Sequence, residues 1–241
     1  MDHAESIKEV FRHVLFRLGA ERLLNRVRRL RGREIGHLQP RVIADLFSYI
    51  YSNKLWVESE DQTSLSGSGS TASATGDLIS QLSDFLKQHQ CKRLLDVGCG
   101  DFNWMQGVPG DFDYVGIDIV PEVIASNNEK FGNARRKFIC ANAAESSLNF
   151  GADVVICREV LFHLSFATGR RLLRNMQNSG AKYILLTNDS SIWFNSDIKD
   201  GDFRRINLRK APYSLPIPET IMVDDKVSSG RQLAVWLGGA N

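Results

Sequence analysis

Alternation between short apolar runs and segments of helical periodicity dominates the second half of the chain, and it constrains the fold more than any other feature. Five runs rich in Val, Ile and Leu lie at residues 93–98, 114–118, 137–142, 153–159 and 183–188. Segments with apolar residues at helical spacing separate some of them, at residues 121–131 and 166–178. Strands that are apolar along their whole length are buried on both faces, as in a parallel sheet covered by helices on both sides. The sequence therefore predicts an α/β fold with a doubly wound, mostly parallel sheet.

The C-terminal region predicts a different kind of strand pair. Two apolar runs, residues 220–225 and 231–238, are joined by the short connection KVSSG. A short polar connection that contains glycine, placed between two strand-like runs, is typical of an antiparallel hairpin. We therefore expect the sheet to end in a C-terminal antiparallel hairpin.

The N-terminal region is strongly basic. Residues 1–41 contain ten Lys or Arg against five acidic residues, whereas the whole chain has a formal net charge of only +2. Apolar residues recur in this region at helical spacing, at Phe11, Val14, Leu15, Leu18, Leu23, Leu24, Val27 and Leu30. The pattern predicts a basic amphipathic helix. Two interpretations remain open: its basic face is solvated while its apolar side packs on the body, or it contacts an anionic membrane surface or nucleic acid.

Composition divides the chain into three parts. Residues 1–57 form the basic helical extension, since a second amphipathic segment at 41–56 follows the first. Residues 58–76 are dense in Ser, Thr and Gly and predict a flexible loop beside the site. Residues 77–241 hold the sheet and begin with a helix whose N-cap we expect at Asp77. Within that part, residues 188–219 form a long irregular insert.

Composition also limits the class of protein. With 43% hydrophobic and 24% charged residues the chain can fill a core, and it lacks a run of about eighteen apolar residues that would span a membrane. The first thirty residues mix charged and apolar side chains, unlike a secretory signal. The four cysteines show no metal-binding spacing and fit buried reduced thiols. We therefore expect a cytoplasmic protein without a metal-binding motif, and Mg²⁺ held by scattered acids is the alternative left open.

Glycines and acids at the ends of the first two strands point to a nucleoside site, because ligands of such sheets bind at the carboxyl ends of the strands. Gly98 and Gly100 permit a tight turn, although Asn103 replaces the third glycine of a dinucleotide fingerprint. Asp118, eighteen residues after Gly100, can accept hydrogen bonds from both hydroxyls of a ribose. Asp96 needs a partner inside the strand end, either a ligand ammonium group or a structural hydrogen bond.

Four segments in order resemble the motifs of class I S-adenosylmethionine-dependent methyltransferases: LLDVGCG (94–100), YVGIDIVPEVI (114–124), FICANAAE (138–145) and DVVICREVLFHLS (153–165). The segments CGDFNWM, DIVP and HLS resemble, more narrowly, a bacterial subgroup with an undefined acceptor. The resemblance covers about residues 77–240. It implies a Rossmann-like fold with a C-terminal hairpin, methyltransferase activity and S-adenosyl-L-methionine as the cofactor.

The resemblance also implies roles for individual residues. Gly98 and Gly100 would face the methionine part of the cofactor, and Asp96 would serve its amino group. Asp118 would hold the ribose, with Ile119 against the adenine.

Further cofactor contacts are expected from the resemblance. Asn142 stands where many relatives have an acid that reads the adenine amine; an amide oxygen can meet the same edge, and a plain turn residue is the alternative. The Ser/Gly-rich segment is expected to cover the other side of the cofactor, through Ser66, Gly67, Gly69 and Ser70. We also expect Arg158 to contact the cofactor. Pairing with an acidic substrate group or with a neighbouring carboxylate are the alternatives.

Glu159 and His163 are the candidate catalytic residues, since they follow the fourth strand where an acceptor would approach the methyl group. Either side chain can remove a proton from an acceptor hydroxyl. The alternatives are a carboxylate that favours a helix start for Glu159 and a loop-supporting role for His163.

The insert at 188–219 mixes aromatic and charged residues at the mouth of the sheet, which suits an acceptor wall. We expect Trp193, Asn195, Asp197 and Arg204 to contact the acceptor, the alternative being that Trp193 and Phe194 plug the core edge. The expected function is methyl transfer to a small-molecule or glycan acceptor, at a hydroxyl. Methylation of RNA or protein, and a noncatalytic cofactor-binding scaffold, are the alternatives.

Overall fold

The computed structural model describes residues 10, 14–15, 18, 20–32, 35–38, 41–59, 62, 64–226 and 228–239, without the side chains of residues 21–24. Phe11, Leu23 and Leu24, which contribute to the amphipathic pattern predicted near the N-terminus, therefore lie outside the described side chains. The helices and strands are α1 (Glu21–Leu30), α2 (Ile43–Ser52), α3 (Ala72–Gln88), β1 (Arg93–Val97), β2 (Asp113–Asp118), α4 (Pro121–Phe131), β3 (Arg136–Cys140), β4 (Val154–Cys157), α5 (Phe166–Gln177), β5 (Tyr183–Asp189), β6 (Thr220–Val223) and β7 (Arg231–Leu237).

The described strands form one seven-stranded sheet in the order β3-β2-β1-β4-β5-β7-β6. Neighbours among β1 to β5 are parallel, whereas β7 is antiparallel to both β5 and β6. The predicted doubly wound, mostly parallel sheet with a C-terminal antiparallel hairpin is thus confirmed. The strand order reverses between β1 and β4, so a crevice opens beyond the carboxyl ends of these two strands.

Two hydrophobic cores cover the two faces of the sheet. Because side chains alternate along a strand, Leu94 of β1 points to one core and Leu95 to the other. Leu78 and Leu82 of α3 fill the first core. The second core receives α5 and also α2, whose Leu46, Phe47 and Ile50 are buried. Helix α2 is therefore packed into the sheet domain, although composition alone placed residues 1–57 in an extension.

Several local expectations need correction. Helix α3 begins at Ala72 and not near Asp77, because Thr71 is its N-cap and its side chain accepts a hydrogen bond from the amide of Ala74. The Ser/Gly-rich segment contains a 3₁₀ turn at Ser68–Ser70 and the first turn of α3, so it is ordered over much of its length. Three cysteines are buried as expected, but Cys140 at the end of β3 is exposed.

No helix among the described residues is both long and apolar enough to cross a membrane.

Candidate active site

A pocket lies beyond the carboxyl ends of β1, β2 and β4, where the topology opens the crevice. It encloses about 940 Å³ including its open mouth, a size that suits a nucleoside-sized ligand. Ten of the residues predicted for the site line it: Ser66, Ser70, Gly98, Gly100, Asp118, Ile119, Asn142, Arg158, Glu159 and His163. The sequence motifs thus converge on one pocket.

The glycine turn after β1 has no room for side chains. Gly98 and Gly100 both have positive φ, 76° and 53°. A Cβ atom on Gly98 would lie 2.2 Å from Cγ2 of Val160, and one on Gly100 would lie 2.3 Å from Oγ of Ser66. Asn127 fixes the turn further, because its Nδ2 donates to the Gly100 carbonyl at 2.7 Å. The turn therefore brings bare backbone to the pocket wall.

Asp118 is hydrogen-bonded directly to the glycine turn. The amide of Gly100 donates to its Oδ2 at 3.0 Å, and the amide of Val120 donates to its Oδ1 at 3.1 Å. Burial raises the pKa of this carboxyl, and the two backbone donors oppose the rise. A carboxylate oxygen has more than one lone pair, so both oxygens can still accept from a vicinal diol. The two halves of the expected nucleoside clamp are therefore one hydrogen-bonded unit.

Asp96 lies behind this wall and is not one of the residues that line the pocket. It is buried, and the hydroxyl of Tyr114 donates to its Oδ2 at 2.8 Å. Burial raises the pKa of Asp96 to about 7, against the lowering effect of that hydrogen bond. Of the two partners considered for Asp96, the structure provides the structural hydrogen bond.

Asn142 and Ile119 line the opposite wall at the ends of β3 and β2. The Asn142 side-chain oxygen accepts from the amide of Ala144 at 3.1 Å. This bond uses one of the two lone pairs of the oxygen, while the amide NH₂ has both of its N–H groups to offer a ligand.

The Ser/Gly-rich segment is held against the glycine turn by Asp101. The hydroxyls of Ser64 and Ser66 and the amide of Leu65 all donate to its carboxylate, at 2.6–3.2 Å. Asp101 directly follows the GxG pair but was missing from the predicted site. Its sequence signal was its position directly after the GxG pair.

Gly67 and Gly69 shape this segment without lining the pocket. Gly67 has a φ of 97°, and a Cβ there would lie 3.8 Å from Cβ of Trp56. A Cβ on Gly69 would lie 3.6 Å from a guanidinium nitrogen of Arg231. Both distances are ordinary van der Waals contacts, so the positive φ of Gly67 is the feature that favours glycine in this segment.

The N-terminal helix α2 and the residues after it form a wall that the sequence did not predict. Phe47, Tyr51 and Trp56 line the pocket. The hydroxyl of Tyr51 is 2.8 Å from Oγ of Ser66, and the ring of Trp56 lies 4.8 Å from that of His163. The amphipathic pattern revealed the helix but not which part of the sheet it covers.

Arg158 forms an ion pair with a residue of the C-terminal hairpin. Its Nε donates to Oδ2 of Asp224 at 3.0 Å and its Nη2 to Oδ1 at 2.9 Å. Both side chains are 2% exposed. Of the alternatives left open for Arg158, pairing with a neighbouring carboxylate is therefore the one observed.

Glu159 occupies a sparsely populated backbone conformation beside the pocket, with φ of 65°. Its amide donates to Oγ1 of Thr187 at 2.8 Å, and Nη1 of Arg231 is 3.1 Å from its Oε2. Its other oxygen, Oε1, is buried and has no hydrogen-bond partner among the described residues. Burial raises the pKa of Glu159, and the charges of Arg231 and Arg158 oppose the rise. Backbone strain and an unsatisfied polar atom are features that cluster at functional sites.

His163 also lines the pocket, but its surroundings argue against a role as the base. Burial lowers its pKa to about 4. Its neutral ring donates from Nδ1 to the Asp202 carbonyl at 3.2 Å and packs between Trp56 and Phe203. An imidazole with so low a pKa is a weak proton acceptor. The alternative of a supporting role fits this geometry better than the expected catalytic one.

The four predicted acceptor residues of the insert do not line the pocket. Trp193 is 53% exposed, which also excludes the plug alternative for this ring. Asn195 is buried and donates to the carbonyls of Asn207 and Ala211. Asp197 accepts from the amide of Phe166 at the start of α5. Arg204 is buried with its guanidinium 4.9 Å from the Phe166 ring centroid. Asn195, Asp197 and Arg204 thus make structural contacts, within the insert and with the start of α5.

Part of the chain matches a known protein family. Residues 95–179 match the family described as "Methyltransferase domain". This range runs from β1 to the residues just after α5, so it contains the glycine turn, Asp118, Asn142 and Glu159. Curated proteins provide no match.

Solved structures share the fold. Magnesium protoporphyrin IX methyltransferase (ChlM) from Synechocystis PCC 6803, with bound SAM, is 11% identical with a TM-score of 0.58, over 82% of this chain and 98% of that one. The methyltransferase domain of the bacterial protein CtHen1-C is 17% identical with a TM-score of 0.52, over 69% of this chain and all of that one. At such identities the likeness concerns the fold.

The pocket fits the cofactor that this fold implies, because the glycine turn at Gly98 and Gly100 and the Asp118 carboxylate line it together. The matched domain and the fold agree: residues 95–179, which carry the glycine turn and Asp118, are similar to a methyltransferase domain.

Proposed function

We propose that this methyltransferase transfers a methyl group to a hydroxyl of a small-molecule or glycan acceptor, with Glu159 as the group that receives the hydroxyl proton. The observation that carries the proposal is the Glu159 carboxylate, which lines the pocket with one oxygen fixed by Arg231 and the other unsatisfied. An acceptor O–H would satisfy that second oxygen.

On the donor side, the backbone of Gly98 and Gly100 would lie against the methionine part of S-adenosylmethionine. Asp118 would accept from the ribose hydroxyls, and Asn142 would donate from its amide to the adenine edge. When bound, the cofactor supplies an electrophilic methyl group. The chain itself must hold the acceptor oxygen in line with that group and keep competing water out.

On the acceptor side, Glu159 holds the proton released as the oxygen is methylated. Because its pKa is raised, Glu159 is a better base than an ordinary surface carboxylate. It is ionised once the pH exceeds that pKa. The sign of the pH dependence follows: the base must be deprotonated, so the transfer rate falls as the pH is lowered through the pKa of Glu159. His163, neutral and stacked on Trp56, would shape the pocket wall.

The exposed arginines of α1 support a second part of the proposal, an anionic partner for the basic N-terminal region. Arg26 and Arg29 are both exposed on this helix. A nucleic-acid or protein acceptor is the alternative that this basic surface favours.

The test measures transfer of a radiolabelled methyl group from S-adenosylmethionine to an extract of the organism's cells, separated into small-molecule, glycan, RNA and protein fractions. Glu159→Gln is expected to lower transfer about 10²- to 10⁴-fold, the contribution typical of a general base. Its affinity for S-adenosylhomocysteine, measured by calorimetry, should change little.

His163→Asn is the matched control, since it changes a neighbouring pocket residue and should lower transfer less than Glu159→Gln. Label in the RNA or protein fraction alone would contradict the small-molecule or glycan acceptor. Full activity of Glu159→Gln would remove this residue as the base, and no transfer into any fraction despite cofactor binding would favour a scaffold.

A further inference from the structure

Helix α1 exposes large apolar side chains together with arginines. Leu30 is 80% exposed and Val27 is 37% exposed, and Leu18, just before the helix, is 74% exposed. Arg26, Arg29 and Arg31 are exposed as well. Leu30 therefore does not pack on the body and Val27 is only partly covered, whereas one of the two interpretations of the sequence pattern had the apolar side packed on the body.

Around the circumference of α1, two apolar side chains form a stripe with arginines on both sides. With 3.6 residues per turn, Val27 and Leu30 lie side by side on the helix surface, flanked by Arg31 on one side and Arg26 on the other. An apolar stripe flanked by arginines is the arrangement of helices that lie in the interface of a bilayer, with the apolar side among the acyl chains and the arginines at the headgroups.

Helix α1 is held to the body through a polar side chain instead. Nη2 of Arg28 donates to Oδ2 of Asp202 at 2.9 Å, and both side chains of this ion pair are mostly buried. Arg28 lies about a quarter turn from Val27, so this contact leaves the apolar stripe directed away from the body.

We propose that α1 docks on an anionic lipid surface, an inference that rests on the anionic partner in the proposed function and specifies its chemistry. Charge complementarity selects an anionic surface, and the exposed Leu30 and Val27 select one with an apolar interior. A nucleic acid would satisfy the arginines but would leave the apolar stripe in water, and the segment Glu21–Leu30 contains no aromatic residue for stacking on bases.

The docking surface is close to the acceptor side of the pocket. Asp202, which binds Arg28, also accepts through its backbone carbonyl from His163, and Phe203 contacts the same imidazole ring. His163 lines the pocket. A bilayer under α1 would therefore lie next to the residues that shape the pocket wall.

The experiment is co-sedimentation of the full chain with vesicles of phosphatidylcholine alone or mixed equally with phosphatidylglycerol, at low and physiological salt. Binding is expected only with the anionic vesicles. Each interfacial arginine contributes about a fivefold factor, so Arg26→Glu/Arg29→Glu/Arg31→Glu should weaken binding at least about a hundredfold. Val27→Ser/Leu30→Ser should weaken vesicle binding about tenfold and leave binding to a single-stranded RNA oligomer unchanged.

The matched control is Arg170→Glu/Arg171→Glu/Arg174→Glu, three exposed arginines on α5, a helix that buries its Leu172, Leu173 and Met176. This variant should bind vesicles like the parent chain, and equal loss in both triple variants would overturn the inference. Binding to the RNA oligomer but not to vesicles would overturn the lipid surface while keeping an anionic partner. Binding to neither would reject the anionic partner as well. S-adenosylhomocysteine binding reports that each variant is folded.

Discussion

The donor and acceptor sides of the pocket differ in where their polar groups find partners. On the donor side, Asp118 bonds to the amides of Gly100 and Val120, and Asp96 accepts from Tyr114 of the neighbouring strand. On the acceptor side, Arg158 pairs with Asp224, 66 positions later, and Glu159 contacts Arg231 of β7. The two acids of the donor side therefore find their partners in β1, β2 and the turns that follow them, whereas the acceptor side requires the C-terminal hairpin.

The hairpin contributes geometry to the site more than stability to the fold. A buried ion pair costs desolvation that its own attraction roughly offsets, so Arg158–Asp224 is weak evidence for added stability. Its effect is geometric, since it ties the end of β4 to β6 immediately before the strained Glu159. We infer that the hairpin fixes the orientation of the acceptor side, independently of the donor side.

The largest expected effect comes from breaking the acceptor-side pair. Arg158→Met leaves the Asp224 carboxylate buried without its partner, which should lower the free energy of unfolding by about 3–5 kcal/mol. Urea denaturation measures the change. The double variant Arg158→Met/Asp224→Leu should recover most of the loss, because it removes the unpaired charge.

An exposed ion pair provides the control. Arg135 pairs with Asp111 and Asp113 at the surface, and Arg135→Met should leave the free energy of unfolding nearly unchanged because such pairs are screened by water. A loss in Arg158→Met no greater than in Arg135→Met would show that the hairpin pair does not hold the acceptor side.

The next effect concerns a contact between the two sides, at Gly98. Gly98→Ala places a Cβ 2.2 Å from Cγ2 of Val160, the residue after Glu159, and a β-branched side chain has little freedom to move away. We expect affinity for S-adenosylhomocysteine, measured by calorimetry, to fall about a hundredfold, equivalent to nearly 3 kcal/mol.

Gly180→Ala is the matched control, because Gly180 has nearly the same φ, 79° against 76°, and a Cβ added there would meet no atom within 4 Å. Both variants should lose about 1–2 kcal/mol of stability from the left-handed backbone. Only Gly98→Ala should lose affinity, and equal affinities in the two variants would mean that the sides are not coupled at this contact.

The two sides also differ in how far the sequence could predict them. The sheet, the hairpin and the donor side follow from local patterns: apolar runs, the GxG pair and Asp118 eighteen positions later. The partners of Arg158 and Glu159 could not be predicted, because they depend on how the hairpin folds back against β5. The wall formed by Tyr51 and Trp56 was missed for a related reason, since helical periodicity gives an apolar face but not the surface it covers.

In the insert, by contrast, the sequence predicted ligand contacts that the structure does not show. Its aromatic and charged residues resembled an acceptor wall, yet Asn195 and Asp197 bind backbone groups inside the insert and at the start of α5. Polar side chains in a long irregular segment are needed to satisfy its own backbone. Composition alone does not separate that need from ligand binding.

The last prediction tests whether the donor side is self-contained, through the change in unfolding free energy per pH unit. Burial raises the pKa of Asp96 to about 7 from 3.8, so between these values the folded chain holds a proton that the unfolded chain releases. Stability should therefore fall as the pH rises through this window, by up to about 1.4 kcal/mol per pH unit.

Asp96→Asn cannot titrate but still accepts from Tyr114, so its unfolding free energy should decline less between pH 4 and 7. Tyr114→Phe removes the hydrogen bond that lowers the pKa and should extend the decline to higher pH. Parallel pH profiles for all three chains would show that Asp96 is ionised in the fold, and hence that the donor side needs a cationic partner beyond Tyr114.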